Sequence, residues 1–310
     1  MAKSSTNTSG GIFMQNIRVT SLSFFNKPDE QVWEAVQAAG LMKSDLVILP
    51  ETWAGSQVLE SLESSRVLKL CELAKQYKLY IVSGMYRQTD DGGRVNSAIL
   101  IGRGGKIEGI YDKMYPYWEE FDLTPPAQIG KEPVVFDTDF GKLGIAICFD
   151  ANIPAYWQQL AELGAQIVVW PSAYSGGSYL QAHAINHHYY IVSSTHKRDC
   201  IVYDITGQEI LYNAAIEDDS ILISSIELDL DRCIFHRDFM VDKKRTLLAE
   251  HAGDIIQEKS MPKEGWFVLK SVKKDVSIRK LAREYGLEEL PAYKLRSIKE
   301  MDSMRGTNNV

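Results

Sequence analysis

The spacing of apolar positions changes along the chain, and each change marks an element. Residues 17–25 are rich in β-branched and aromatic side chains and read as a strand. Pro28-Asp29-Glu30 then opens a helix that places Val32, Val36 and Ala39 on one face. Residues 46–50, LVILP, form a short unbroken apolar run, the pattern of a strand covered on both faces. Helical spacing follows at Leu59, Leu62, Arg66, Leu70, Leu73 and Tyr77, with Arg66 the one polar intrusion, and residues 80–86 read as the next strand. This βαβαβ alternation predicts an α/β layered fold.

Beyond residue 86 the pattern is richer in strands. Segments 95–102 and 106–111 form a hairpin, with Gly104-Gly105 supplying the turn. Segments 134–137 and 143–148 read as a second strand pair around Phe140-Gly141. A helix over 154–163 carries Pro in its first turn, 166–170 is a buried strand, and 179–190 is helical. Strands at 191–195, 201–203 and 221–228 follow, then helices at 239–251 and 276–287. Strands outnumber helices, so the expectation is a mixed sheet or a pair of sheets rather than a simple doubly wound one.

Composition narrows the function classes. A chain of 310 residues suits two domains or one large α/β domain. With 45% hydrophobic and 24% charged residues it is an ordinary globular mix, which excludes wholesale disorder. A net charge of −7 removes any global basic footprint for nucleic acid. That charge is uneven: residues 266–310 hold ten basic against six acidic residues, a basic stretch beside a more acidic body. Four cysteines without a CxxC pair favour a reducing cytoplasm. Residues 1–11, rich in Ser, Thr and Gly, read as part of a frayed terminus over 1–16 rather than a signal peptide, and no apolar run approaches the ~18 residues a membrane helix needs.

Three reactive groups sit at strand ends, where α/β folds gather their sites. Glu51 follows LVILP, Lys113 follows the strand at 107–111, and Cys148 closes GKLGIAIC ahead of a helix. A thiol at a strand-to-helix turn gains from nearby backbone N–H groups, and the Phe149 N–H is placed to face an oxyanion. Glu51 could act as the base that Cys148 needs, and Lys113 could stabilise both thiolate and oxyanion. Spacing alone leaves open whether the three meet.

The motifs ILPETW (48–53), YDKMYP (111–116) and GKLGIAICFD (141–150), in that order, resemble the nitrilase superfamily of carbon–nitrogen hydrolases. VNSAILI (95–101) and GAQIVVWPSA (164–173) are similar too, and the likeness runs over about residues 17–230. The resemblance implies a four-layer αββα sandwich, here with a C-terminal extension, that pairs into homodimers or larger oligomers. It implies a catalytic Glu51-Lys113-Cys148 triad and a second glutamate seven residues after the lysine. Pro116 and Glu120 match that spacing, with Glu119 the adjacent alternative. It calls for no metal or organic cofactor.

The expected partner is a small-molecule amide, carbamoyl compound or nitrile, with neither nucleic acid nor membrane involved. Nitrilases of the superfamily typically carry Cys-Trp-Glu where this chain has CFD, which favours an amidase or N-carbamoyl hydrolase. Members that take carboxylate substrates often have Arg four residues after the cysteine; here Asn152 stands there, which points to a neutral or amine-bearing substrate. Trp53, Tyr117, Phe149, Asn152, Tyr174 and His196 are the candidate pocket residues, with ordinary packing the alternative for each aromatic. A nitrilase and a catalytically silent binding module of the same fold are the competing readings. His183 and His187 have i,i+4 spacing but no helpful third ligand, so they read as polar contacts of a helix rather than a metal site. The expected organisation is one hydrolase domain over 17–260 and a basic extension over 261–310 at a subunit interface.

Overall fold

Three largely buried strands, Asn16–Ser23, Leu46–Ile48 and Tyr80–Gln88, run parallel at the centre of the first sheet. This computed structural model describes residues 16–215 and 220–306, so the expectation of a frayed terminus falls outside it except at Asn16, which opens the first strand. Antiparallel strands Arg94–Ile101 and Ile107–Asp112 extend one side of the sheet, and Leu222–Asp229 closes the other. The second sheet repeats the plan. Its parallel centre is Gly141–Ile145, Ile167–Ser172 and Tyr190–Thr195, flanked by antiparallel Val135–Thr138 and by Asp199–Tyr203 with Glu209–Ala214.

The two-residue period of a strand sorts its side chains into layers. Ile17, Val19, Leu46, Ile48 and Val82 join the core shared with the second sheet. Leu22, Phe24, Val47, Leu49 and Ile81 face the opposite way and pack on helices Asp29–Leu41 and Ser65–Tyr77. Helices Pro154–Glu162 and Ser178–His187 contribute Tyr156, Trp157, Leu160, Leu180 and Ala184 to the core of the second sheet. Small residues let the sheets approach: Ser21 Oγ donates to the Ser193 carbonyl and Ser194 Oγ to the Leu22 carbonyl, each at 2.8 Å. Two mixed sheets packed on each other, each with a pair of helices against it, make the α/β fold expected from the motifs.

Local features differ from expectation for identifiable reasons. The helix read from Leu59 begins at Ser65, because Leu59–Glu60 pairs with Tyr86–Arg87 and Ser64 caps the helix by accepting from the Val67 N–H. Arg66, the polar intrusion, is bonded to Asp29 at 2.8 Å and lies over the Trp53 ring. The strand expected to reach Cys148 stops at Ile145, and Cys148 itself begins a short 3-10 turn.

The boundary expected at 260/261 falls inside strand Ile255–Met261, which pairs with Trp266–Ser271 and, through it, with Cys233–His236. One face of this small sheet packs with helices Val241–Glu250 and Ile278–Glu284 in a third core, while Ile234 and Val268 join the core of the main body. The final helix runs over Leu290–Arg305.

Candidate active site

Glu51 leaves the first sheet on a tight turn. Thr52 has φ +36°, in the left-handed region that costs a non-glycine residue about 1–3 kcal/mol. Two contacts hold the turn from outside: the His196 imidazole bonds the Glu51 carbonyl, and the Asn26 N–H donates to the Trp53 carbonyl at 3.0 Å. A third constraint comes from below. A Cβ on Gly84 would sit 2.4 Å from the Pro50 carbonyl oxygen and 2.7 Å from Glu51 Cα, so only glycine lets the neighbouring strand pass beneath the turn.

Lys113 follows the last strand of the hairpin and is wholly buried. Its Nζ donates to Glu51 Oε1 at 2.7 Å and to Glu120 Oε1 at 2.6 Å, leaving one of three N–H bonds for another acceptor. The same two carboxylates receive a second bridge: Asn96 Nδ2 donates to Glu51 Oε1 and Glu120 Oε2, both at 2.8 Å. Glu120 also accepts from the Tyr117 N–H at 2.8 Å and the Tyr86 hydroxyl at 3.4 Å. Glu119 lies on the other side of its turn, exposed, with no ion pair among the described residues. The lysine partner in this structure is therefore Glu120.

Burial alone would raise the Glu51 carboxyl, but the Lys113 charge and hydrogen bond, with help from Asn96, hold it below its ordinary value. Burial would likewise depress the Lys113 ammonium, and its ion pairs with Glu51 and Glu120 hold it well above instead. The pair is ionised. Cys148 behaves differently: burial, then the Glu51 charge, push its thiol up to about 12 against the opposing pull of Lys113. It rests as a thiol.

Cys148 has φ +43°, so the nucleophile candidate sits on a strained bend where strand gives way to turn. Trp170 Nε1 donates to the Cys148 carbonyl at 3.1 Å, and Trp157 Nε1 to the Asp150 carbonyl at 2.8 Å. Glu51, Lys113, Glu120 and Cys148 line one cavity of about 360 Å³, with Phe25, Thr52, Tyr86, Tyr117, Ala173 and His196 around them. The arrangement sets a general base, a cation with a spare donor and a thiol around space for a small molecule.

The six pocket candidates divide. Tyr117 and His196 line the cavity. Trp53 does not: it is core, between Phe24 and Trp33, with Nε1 bonded to Ser83 Oγ at 3.0 Å. Tyr174 packs edge-on against Trp170, Asn152 Nδ2 is turned to the Phe149 carbonyl at 3.2 Å, and the Phe149 ring lies against Tyr117 instead of lining the cavity. His183 Nε2 contacts the Ala151 carbonyl at 2.9 Å and its ring stacks on Trp157, a structural contact of the nucleophile turn. Asn96, Tyr86 and Phe25 were absent from the sequence reading. Each lies in a segment read only as a strand, and nothing local marks which distant groups it meets.

Residues 29–237 match the family model described as carbon-nitrogen hydrolase. The chain belongs to the carbon–nitrogen hydrolase family. Within it, the chain is 26% identical over 227 residues to the mouse omega-amidase NIT2, covering 62% of this chain and 80% of that protein. It is 27% identical over 193 residues to the β-ureidopropionase of Arabidopsis thaliana, covering 54% of this chain but only 45% of that protein. Among solved structures, an amidase from Nesterenkonia sp. superposes with a TM-score of 0.60 at 18% identity, over 77% of this chain and 99% of that one. Nit3 of Saccharomyces cerevisiae, a nitrilase-superfamily member, superposes at 0.57 with 20% identity, over 72% and 93%. These likenesses establish a nitrilase-superfamily fold and a hydrolase family. No helix among the described residues is long and apolar enough to cross a membrane.

Proposed function

We propose that this chain hydrolyses non-peptide carbon–nitrogen bonds of a small amide or N-carbamoyl compound through a Cys148 thioester. The observation that supports this most directly is the Lys113 ammonium held between Glu51 and Glu120 on the wall of the cavity that Cys148 lines. In this reading Glu51 takes the thiol proton as sulfur attacks the carbonyl carbon. The thiol lies so far above Glu51 in proton affinity that transfer and S–C bond formation proceed together rather than through a standing thiolate. The carbonyl electron pair moves to oxygen, held by the free Lys113 N–H and the Phe149 backbone N–H. Collapse expels ammonia or an amine, which takes the proton from Glu51. Water then attacks the thioester, Glu51 accepts its proton, and collapse frees the acid and returns the proton to sulfur.

The cavity wall also bears on substrate charge. Three carboxylates line it: Glu51 and Glu120, which already pair with its one lysine, and the exposed Glu119; no arginine is among the lining residues. His196 adds no cation at neutral pH, since burial pushes its imidazole down. An anionic substrate would meet like charge, so neutral or amine-bearing amides are the expected class.

The test is ammonia release from a panel of neutral, amine-bearing and carboxylate-bearing short amides, N-carbamoyl amines and nitriles. Mass spectrometry of the enzyme reads the acyl adduct. Turnover of amides or carbamoyl compounds with an adduct on Cys148 is expected, at least tenfold slower for carboxylate-bearing members. A C148A variant with full hydrolysis overturns the mechanism, and turnover of nitriles alone makes the chain a nitrilase.

A further inference from the structure

The structure assigns Asp150 a positioning role: its carboxylate locks the Cys148 turn against the segment that carries Lys113. The role rests on the function proposed above, but its geometry is independent of the substrate. Asp150 is completely buried, and three donors converge on it. One belongs to its own turn, the Ile147 N–H at 2.7 Å. The other two belong to the lysine segment, the Tyr111 hydroxyl at 2.8 Å and the Tyr115 N–H at 3.2 Å. Tyr111 is itself fixed, accepting from the Met114 N–H at 3.1 Å. The carboxylate thus ties the residue before Cys148 to residues on both sides of Lys113.

Only an acceptor satisfies all three donors. A protonated acid or an asparagine amide would turn a hydrogen toward Tyr115 N–H, and that link would open. The charge has a cost, because burial drives the Asp150 pKa up to about 7. A group kept only for stability would not carry a buried charge, whereas one that must hold a strained nucleophile turn in register has reason to. The titratable groups facing it are Lys113, Tyr111 and Tyr156, and burial and neighbouring carboxylates keep all three protonated through pH 5–8. Loss of the lock on acidification therefore belongs to Asp150.

D150N and Y111F test this with two readouts. The first is the pH profile of kcat on an amide the wild type hydrolyses. The second is the rate at which iodoacetamide alkylates Cys148, followed on the Cys148 peptide by mass spectrometry, which needs no turnover. The wild type should lose kcat below about pH 7. D150N should lower kcat and the alkylation rate at least tenfold and lack that acid limb. Y111F, which removes one donor and adds none, should lower alkylation about threefold. A folded D150N with both rates and the limb within twofold of wild type overturns the role. If D150N does not fold, unchanged alkylation in Y111F overturns it. If the wild type hydrolyses nothing in the panel, the proposed function fails, while the alkylation ratios still decide the role of Asp150.

Discussion

Asn96 shows how much of this site depends on a neutral side chain. Glu51 and Glu120 share a single lysine, and the amide gives each carboxylate a second donor without adding charge. Asn96→Ala should leave KM within about threefold and lower kcat on the order of 10- to 100-fold, read by steady-state kinetics, because the bridge orients the base without touching substrate. Asn96→Asp should be worse: a third carboxylate at bonding distance from two others must take up a proton or force them apart. Glu51, Lys113 and Cys148 stood out in the sequence because each lies at or just beyond the end of a strand and within a motif. Asn96 was not, since its partners stand 24 and 45 residues away and an asparagine inside a strand carries no mark of what it faces.

At the scale of elements, Gly84 and Ser64 make opposed cases. Gly84→Ala would drive a methyl group into the backbone of the turn that presents Glu51. Overpacking of this kind costs about 1–3 kcal/mol, and relief by moving the turn would misplace the base, so activity should fall more than tenfold along with the urea midpoint. Ser64→Ala removes only a helix cap on the outer layer, so about 1 kcal/mol of stability should go with kcat unchanged. The same helix shows where sequence periodicity reaches its limit. Leu59 and Leu62 extend the helical spacing on paper, yet Leu59–Glu60 is a strand because the long strand Tyr80–Gln88 offers it an edge. Local spacing cannot register a partner that is distant in sequence.

Across the whole molecule, charge is arranged differently from the count along the chain. Several cations of 266–310 find acids in the C-terminal part: Arg296 with Glu288 and Glu300, Arg279 with Glu289, Lys273 with Asp254. The main electrostatic junction with the body lies earlier, where Arg232 bonds the buried Asp204 at 3.1 Å and Glu258 at 2.6 Å. Arg232→Ala should destabilise the protein by about 3 kcal/mol in urea unfolding, since it strips a buried carboxylate of one of its cations. Asp150 adds a pH signature. Its carboxyl is raised in the fold, so its contribution to stability is complete below the ordinary value near 4 and is lost as pH rises through about 7. Asp150→Asn cannot titrate, so its unfolding free energy relative to wild type should shift in its favour by about 3 kcal/mol between pH 5 and pH 8.

The sequence by itself determined the α/β character, most strands and helices up to residue 228, and the three strand-end residues with reactive side chains, because these depend on local period and local chemistry. Tertiary structure decided what depends on meeting. It chose Glu120 over Glu119, placed Trp53 in the core, and brought Asn96 to both carboxylates. It also paired Cys233–His236, Ile255–Met261 and Trp266–Ser271 into a third sheet packed between two cores. Each of these follows from which surfaces the packed layers bring within a few ångströms, and no run of neighbouring residues contains that information.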